Sequence, residues 1–408
     1  MSEAVKQKQQ SAPATSVEVP SRLPRPTVGQ LLRTDLGFVP VLLTLLVIAA
    51  YFALTTGGLF LTPRNLSNLV LQITQIGVLA LGSTLVLLLG EIDLSVAAVS
   101  TLCAVVMGVL VERHGVSAGL AILAALVTGA LTGLINGLLV AFIRIPSFIV
   151  TLAASIGYSG LLLYLLAGQS TLIIHDPFIV SLANNYLPDV LGVGLPTLAL
   201  VLYIAFVVFN YVRRQRAGLR TQPLSRLLLQ IAIVAVIVEG AVVLFESYLG
   251  VPQSVVFLTS LILLCWLLLT KTPFGRYVYA VGGNAEAARR AGINVPLIRV
   301  AVFTMCSTLA AIGGVLAASR GLAVASQIDP TLLLDSIAAA VIGGVSLFGG
   351  KGSVWSLILG ALIIGSLENG LDLKSQGTDV KEMVEGIVLV IAVAADALIR
   401  RAQARRGR

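Results

Sequence analysis

Charge is what this sequence has least of. Asp, Glu, Lys and Arg make up 11% of its 408 residues, against 57% hydrophobic residues and a mean hydropathy of +0.99. A soluble domain of that length needs a far more charged surface, so the ordinary globular classes are excluded and a chain solvated by lipid is left. Histidine is nearly absent, at His114 and His175 only, which removes the material for a histidine metal cluster or a histidine-based triad. The cysteines are Cys103, Cys265 and Cys306, an odd number inside apolar stretches and without CxxC spacing. That excludes a disulfide framework and a zinc site and leaves small packing residues. The net charge of +8 sits in short loops between apolar runs, not on one soluble face, so nucleic acid is not an expected partner.

What is present is a succession of apolar runs. A helix crossing the hydrocarbon core needs about 20 apolar residues, because only internal backbone pairing is tolerated there. Twelve segments qualify: Phe38–Leu59, Leu71–Leu89, Ser95–Val111, Gly119–Phe142, Phe148–Ala167, Leu195–Val212, Leu228–Tyr248, Val255–Leu269, Leu297–Ala318, Asp335–Phe348, Val354–Leu371 and Met383–Ile399. The pieces near Leu71, Asp335 and Ser147 are short enough to be half-helices or re-entrant. The expectation is therefore an all-α, polytopic transmembrane helical bundle of ten to twelve spans over residues 34–399. Residues 1–33 read as a flexible polar tail and residues 400–408 as a basic one. No small-residue cleavage site follows a short apolar core, so the first span is expected to be an uncleaved anchor. With the amino terminus inside and the spans alternating, all but five of the 27 Lys and Arg fall inside. The five outside are Arg64, Arg113, Arg320, Lys374 and Lys381. The positive-inside rule then places both termini in the cytoplasm and makes the chain a multi-pass protein of the inner membrane.

Several segments carry more specific information. In the cytoplasmic loop 271–296, Glu286-Ala287-Ala288-Arg289-Arg290 is a run of helix formers between Gly283 and Gly292. Asn284 can cap its start, and Glu286 complements the dipole there. The result is a short stiff helix, suited either to life as a solvated loop or to transmitting a push from a docked partner. Glu91, Asp93 and Ser95 lie at a break between two spans and read as a helix cap or as a gate. Asn136 borders the small-residue stripe Gly129, Gly133, Gly137, while Ala361, Gly365 and Asn369 form a second row beside Glu368. Packing is the default use of such rows, and a pore in which Asn side chains exchange hydrogen bonds with a solute is the sharper one. Glu239 stands alone in an apolar span, with Glu246 on nearly the same face, where a proton-coupled carrier wants a carboxylate. The run Gly349-Gly350-Lys351-Gly352 suggests a phosphate loop, but GxxxxGK[ST] requires glycine at 345 and Ser or Thr at 352, where Val345 and Gly352 stand. Any nucleotide is then expected on a partner.

Glu286-Ala287-Ala288 followed by Gly292 resembles the EAA loop of ATP-binding-cassette (ABC) importer permeases. The wording around it, Gly282-Gly283-Asn284 to Gly292-Ile293-Asn294, is similar to the ribose/xylose branch. Glu91-Ile92-Asp93-Leu94-Ser95-Val96, Pro146-Ser147-Phe148-Ile149-Val150-Thr151 and the stretch from Gly343 through Ser346 to Val354 resemble further signatures of that branch in the same order. Glu91, Glu368-Asn369-Gly370 and the extra segment Arg213–Pro252 look like the xylose type. The resemblance implies a non-enzymatic permease with the ABC importer fold. Two copies form the pore, an ABC ATPase holding ATP and Mg binds below, and an extracytoplasmic binding protein delivers a small sugar, with xylose expected and ribose the alternative. It implies that Gly283, Asn284, Glu286, Ala287, Ala288, Arg289, Gly292 and Asn294 couple to the ATPase, and that this chain binds no cofactor itself. Asn136, Ser346, Glu368 and Asn369 are the candidates along the sugar's path. Aromatics at 6%, few of them near these polar positions, suggest weak sugar binding by the permease itself. An ion-coupled secondary carrier using Glu239 is the rival from another class.

Overall fold

The computed structural model describes residues 39–219 and 221–406, and the architecture below is that of those residues. The polar segment 1–33 lies outside them. The chain runs α1 (Val39–Thr55), α2 (Pro63–Leu88), α3 (Val96–Glu112), α4 (Ala118–Leu138) and α5 (Ser147–Leu165), then β1 (Thr171–Ile173) and α6 (Pro177–Asn184). It continues with α7 (Asp189–Arg216), α8 (Leu224–Glu246), α9 (Gln253–Lys271), α10 (Pro273–Gly283), α11 (Ala285–Arg290) and α12 (Val295–Gly321). After β2 (Ala323–Ala325) come α13 (Pro330–Ile342), α14 (Leu357–Leu373) and α15 (Thr378–Arg406). The only sheet among the described residues is the antiparallel pair β1–β2. Seven helices, α2, α4, α5, α7, α8, α9 and α12, are long and apolar enough to cross a membrane, while α1, α3 and α13 are shorter apolar helices. The fold is an all-α helical bundle.

Each of the twelve apolar segments contains a helix, but boundaries differ for local reasons. The piece near Leu71 is part of the full helix α2, which starts earlier because Thr62 caps it by accepting from Asn65 N at 3.4 Å and Pro63 occupies its first turn. The segment at Ser147 is likewise a complete helix of 19 residues. The segment at Asp335 stays short. It ends at Ile342 because Gly344 turns the chain at φ +92°, with Val345 N donating back to Ala340 O. At the carboxyl end, α15 continues through Arg406, into the basic segment set apart at residue 400.

Among the seven long apolar helices, α2 and α12 are the most buried and form the centre of the bundle. The glycine stripe of α4 lets it approach α12 at backbone distance. A Cβ on Gly129 would lie 2.7 Å from Ser307 O, and one on Gly137 would lie 2.8 Å from Val300 Cα. Here the stripe serves packing. The pair α7–α8 stands at the periphery and presents Val190, Phe206, Val236 and Val243 outward, as lipid-facing helices do.

The connections sort to two ends. At one end Gly350 N donates to Leu88 O, Ile92 N to Ser147 Oγ, and Tyr279 Oη to Gly352 O. At the other, β1 pairs β2, Arg113 donates to Leu165 O and Gln169 Oε1, and Asn65 Nδ2 donates to Asn369 Oδ1. Arg64, Arg113, Arg320, Lys374 and Lys381 all belong to this second end, opposite segment 271–296.

Candidate functional site

Segment 271–296 forms two helices and a cap. Thr272 begins α10, accepting from Gly275 N, and Asn284 interrupts it in an extended conformation to cap α11 by accepting from Ala287 N at 2.9 Å. Glu286 pairs with Arg289 at 3.4 Å and Arg290 at 3.2 Å, all three well exposed. Ala288 turns inward and is buried, and Ala285 packs against the core beside it. Gly292 closes α11 at φ +85° with nothing near the position a side chain would take. Asn294 then caps α12, accepting from Leu297 N at 3.1 Å. The outcome is a six-residue helix held at both ends, with its charged face free.

Glycines of three connections meet beside the end of α10, which leads into this helix. Gly282 sits against Leu88 O, and its missing Cβ would lie 2.7 Å from Gly350 N, the group that donates to Leu88 O. Gly349, at φ +82°, leaves 2.7 Å between its own missing Cβ and Gly282 O. Gly90 packs over Phe348 O. Tyr279 adds a hydrogen bond of 2.9 Å to Gly352 O, and burial pushes its phenol up.

Beyond Gly90, the connection between α2 and α3 is held from two sides. Asp93 Oδ1 accepts from Ser95 N at 2.8 Å and Ser95 Oγ at 2.6 Å, a turn just before α3 that sets where the helix starts. Ser95 Oγ also accepts from Asn136 Nδ2 at 3.2 Å. Burial pushes the Asp93 carboxyl up, against the Ser95 hydrogen bonds that pull it down. Two hydroxyls of α5 take up backbone amides of the same connection: Ser147 from Ile92 N and Thr151 from Leu94 N. Glu91 forms an ion pair of 2.9 Å with Arg299 in the first turns of α12, its side chain 17% exposed and that of Arg299 26%. Both line a cleft of about 460 Å³ with Arg144 and Arg289. The motif segments around Glu91, Ser147, Glu286 and Ser346 thus meet at one end of the molecule.

The opposite end holds a polar cavity of about 240 Å³ between α2, α3, α12, α13 and α14. Gln75, Thr101, Arg320, Asp329, Asp335 and Glu368 line it, and no aromatic side chain of the described residues does. Asp329 caps α13 through Thr331 N and Oγ1.

The structure distributes the candidate path residues unevenly. Glu368 faces this cavity. Asn369, one residue on, is buried and bonded to Asn65 and Gln72. Asn136 lies at the other end against Ser95 and edges an apolar groove with Tyr158. Ser346 is buried in its own turn, its Oγ accepting from Phe348 N. Glu239 accepts from Thr197 at 3.2 Å within the peripheral α7–α8 pair, away from the cavity. Asp335, Arg320 and Arg299 join these sites from outside the sequence motifs. Asp335 carries a visible signal, an acid inside an apolar run, whereas the pairing of Arg299 with Glu91 leaves none in a linear chain.

Residues 65–393 match the family model described as branched-chain amino acid transport system / permease component. The chain is 38% identical to the xylose transport system permease protein XylH of Haemophilus influenzae over 353 residues, covering 86% of this chain and 94% of the relative. It is 31% identical to the fructose import permease protein FrcC of Rhizobium meliloti over 366 residues, 90% and 86% of the two chains. It is 33% identical to the ribose import permease protein RbsC of Bacillus subtilis over 338 residues, 83% and 86% of the two chains. No solved structure matches. A family match across most of the length, on an all-α bundle with seven helices fit to cross a membrane, makes this chain a member of that family of transport-system permease components.

Proposed function

We propose that the protein is the permease subunit of an ABC importer carrying a monosaccharide, D-xylose, inward across the inner membrane. Segment 271–296 and both termini face the cytoplasm, where the positive-inside rule assigns them. Two copies of the chain form the conduit, an ABC ATPase docks on α11, and an extracytoplasmic binding protein brings the sugar to the opposite end. ATP and Mg belong to the ATPase, and this chain binds no cofactor. Relatives named for xylose, fructose and ribose transport support a sugar over the amino acids of the family's description, and the highest of the three identities supports xylose.

The observation that carries the coupling role is the placement of α11. Its charged face is free, yet its flanks are joined to the bundle by Gly282 against Leu88 and Gly350, and by Arg299 to Glu91. A push on α11 therefore reaches α12 directly and the α2–α3 connection through an ion pair. Alternating access follows when the ATPases close and open below. The test is uptake into proteoliposomes holding the permease, its ATPase and its binding protein. ATP supplied on the ATPase side should drive accumulation of labelled D-xylose that a proton ionophore does not abolish. Uptake that survives without the ATPase and collapses with ionophore would sink this reading, and faster transport of ribose would overturn the choice of sugar.

A further inference from the structure

The cavity at the end opposite α11 contains a side chain that the fold itself does not explain. Asp335 is 4% exposed and lines the cavity, yet it has no hydrogen-bond or ion-pair partner among the described residues. An acid that lines a polar cavity without a partner from the fold is placed to meet whatever occupies that cavity. Its neighbours are engaged differently. Asp329 is spent on the helix cap, while Arg320 and Glu368 also line the cavity and form no hydrogen bond among the described residues. Among the described residues no three His, Cys, Asp or Glu side chains converge well enough to hold a metal ion.

We infer that Asp335 is a binding residue for the hydroxyl groups of an uncharged polyol resting in this cavity, with Arg320 and Thr101 donating and accepting around it. This rests on the sugar-import reading above. Asp335 Oδ1 and Oδ2 accept from adjacent hydroxyls, and at least one acceptor remains whichever protonation state the acid takes. The absence of aromatic faces removes the stacking that makes sugar sites tight, so occupancy belongs in the millimolar range. That suits a resting point on a path, from which the solute must leave as readily as it enters. The placement on α13 is apt, because that half-helix ends in the glycine turn Gly343–Gly344, close to the segment that touches α10.

The test uses a reporter thiol outside the helices. Ala325→Cys places it exposed at the cavity edge, whereas Cys103, Cys265 and Cys306 are buried. The full complex in liposomes is labelled with a polar maleimide while D-xylose is titrated, with glycine betaine as a control lacking hydroxyls. D-xylose should slow labelling and betaine should not. Adding Asp335→Asn should raise the half-protecting concentration about fivefold, as loss of one hydrogen-bonding oxygen does. Asp335→Glu should recover part of the effect. ATP-driven uptake by the unmodified complex is measured alongside. Uptake without protection of the introduced thiol overturns the site and leaves the importer reading intact, as does protection unchanged by Asp335→Asn. No uptake at all removes the importer reading. Protection with Asp335 present supports the site even if the Asn variant fails to assemble.

Discussion

The ion pair Glu91–Arg299 offers the most direct check on how α11 is tied to the bundle. Removing one partner of a fully buried pair costs about 3–5 kcal/mol, and an exposed pair contributes about 0–1 kcal/mol. With side chains 17% and 26% exposed, this pair falls between, at about 2 kcal/mol for the worse single change. The two changes are not equivalent. Arg299→Gln leaves Glu91 in a cleft with Arg144 and Arg289, which supply alternative partners, so about 1 kcal/mol is expected. Glu91→Gln removes the carboxylate lining this cleft and leaves the half-buried Arg299 without its partner, and the full amount, about 2 kcal/mol, should appear. The double variant should cost less than the sum by about 1 kcal/mol. Thermal unfolding of the complex in nanodiscs measures these differences, and sugar moved per ATP hydrolysed measures coupling. Both single variants should hydrolyse ATP while moving less sugar per ATP. Strict additivity within about 0.5 kcal/mol, together with an unchanged sugar-to-ATP ratio, would refute the idea that this pair carries motion.

Glu286→Ala should leave unfolding unchanged within a few tenths of a kcal/mol, since its pairs with Arg289 and Arg290 are exposed, yet abolish ATP-driven uptake. Retained uptake would count against docking on α11. Gly292→Ala places a side chain in open space at φ +85°, so about 1–2 kcal/mol of backbone strain and lost uptake are expected without loss of the protein from the membrane. Gly133→Val on α4 should cost about 3 kcal/mol or block assembly, because even a Cβ would meet Ser307 Cβ at 2.7 Å; a stable variant would show that α4 and α12 can part.

Much of the architecture is written in the chain itself. Lipid requires internally paired backbone and apolar surfaces, which the long apolar runs meet as helices, and Pro273, Asn284 and Asn294 mark the starts of α10, α11 and α12 locally. The stiffness of α11 is equally local, a matter of a cap, an acid in the first turn and a closing glycine. Tertiary structure decided which of these features meet. Asn136 and Asn369 look alike as polar residues beside small ones, but one braces Ser95 and the other Asn65 and Gln72. Only packing brought Gly90, Gly282 and Gly349 into one backbone contact, Glu91 to Arg299, and Asp335 into a cavity with Arg320. Helix formation depends on neighbours within a turn or two, which a sequence displays, whereas a pair formed between distant segments depends on how whole helices cross.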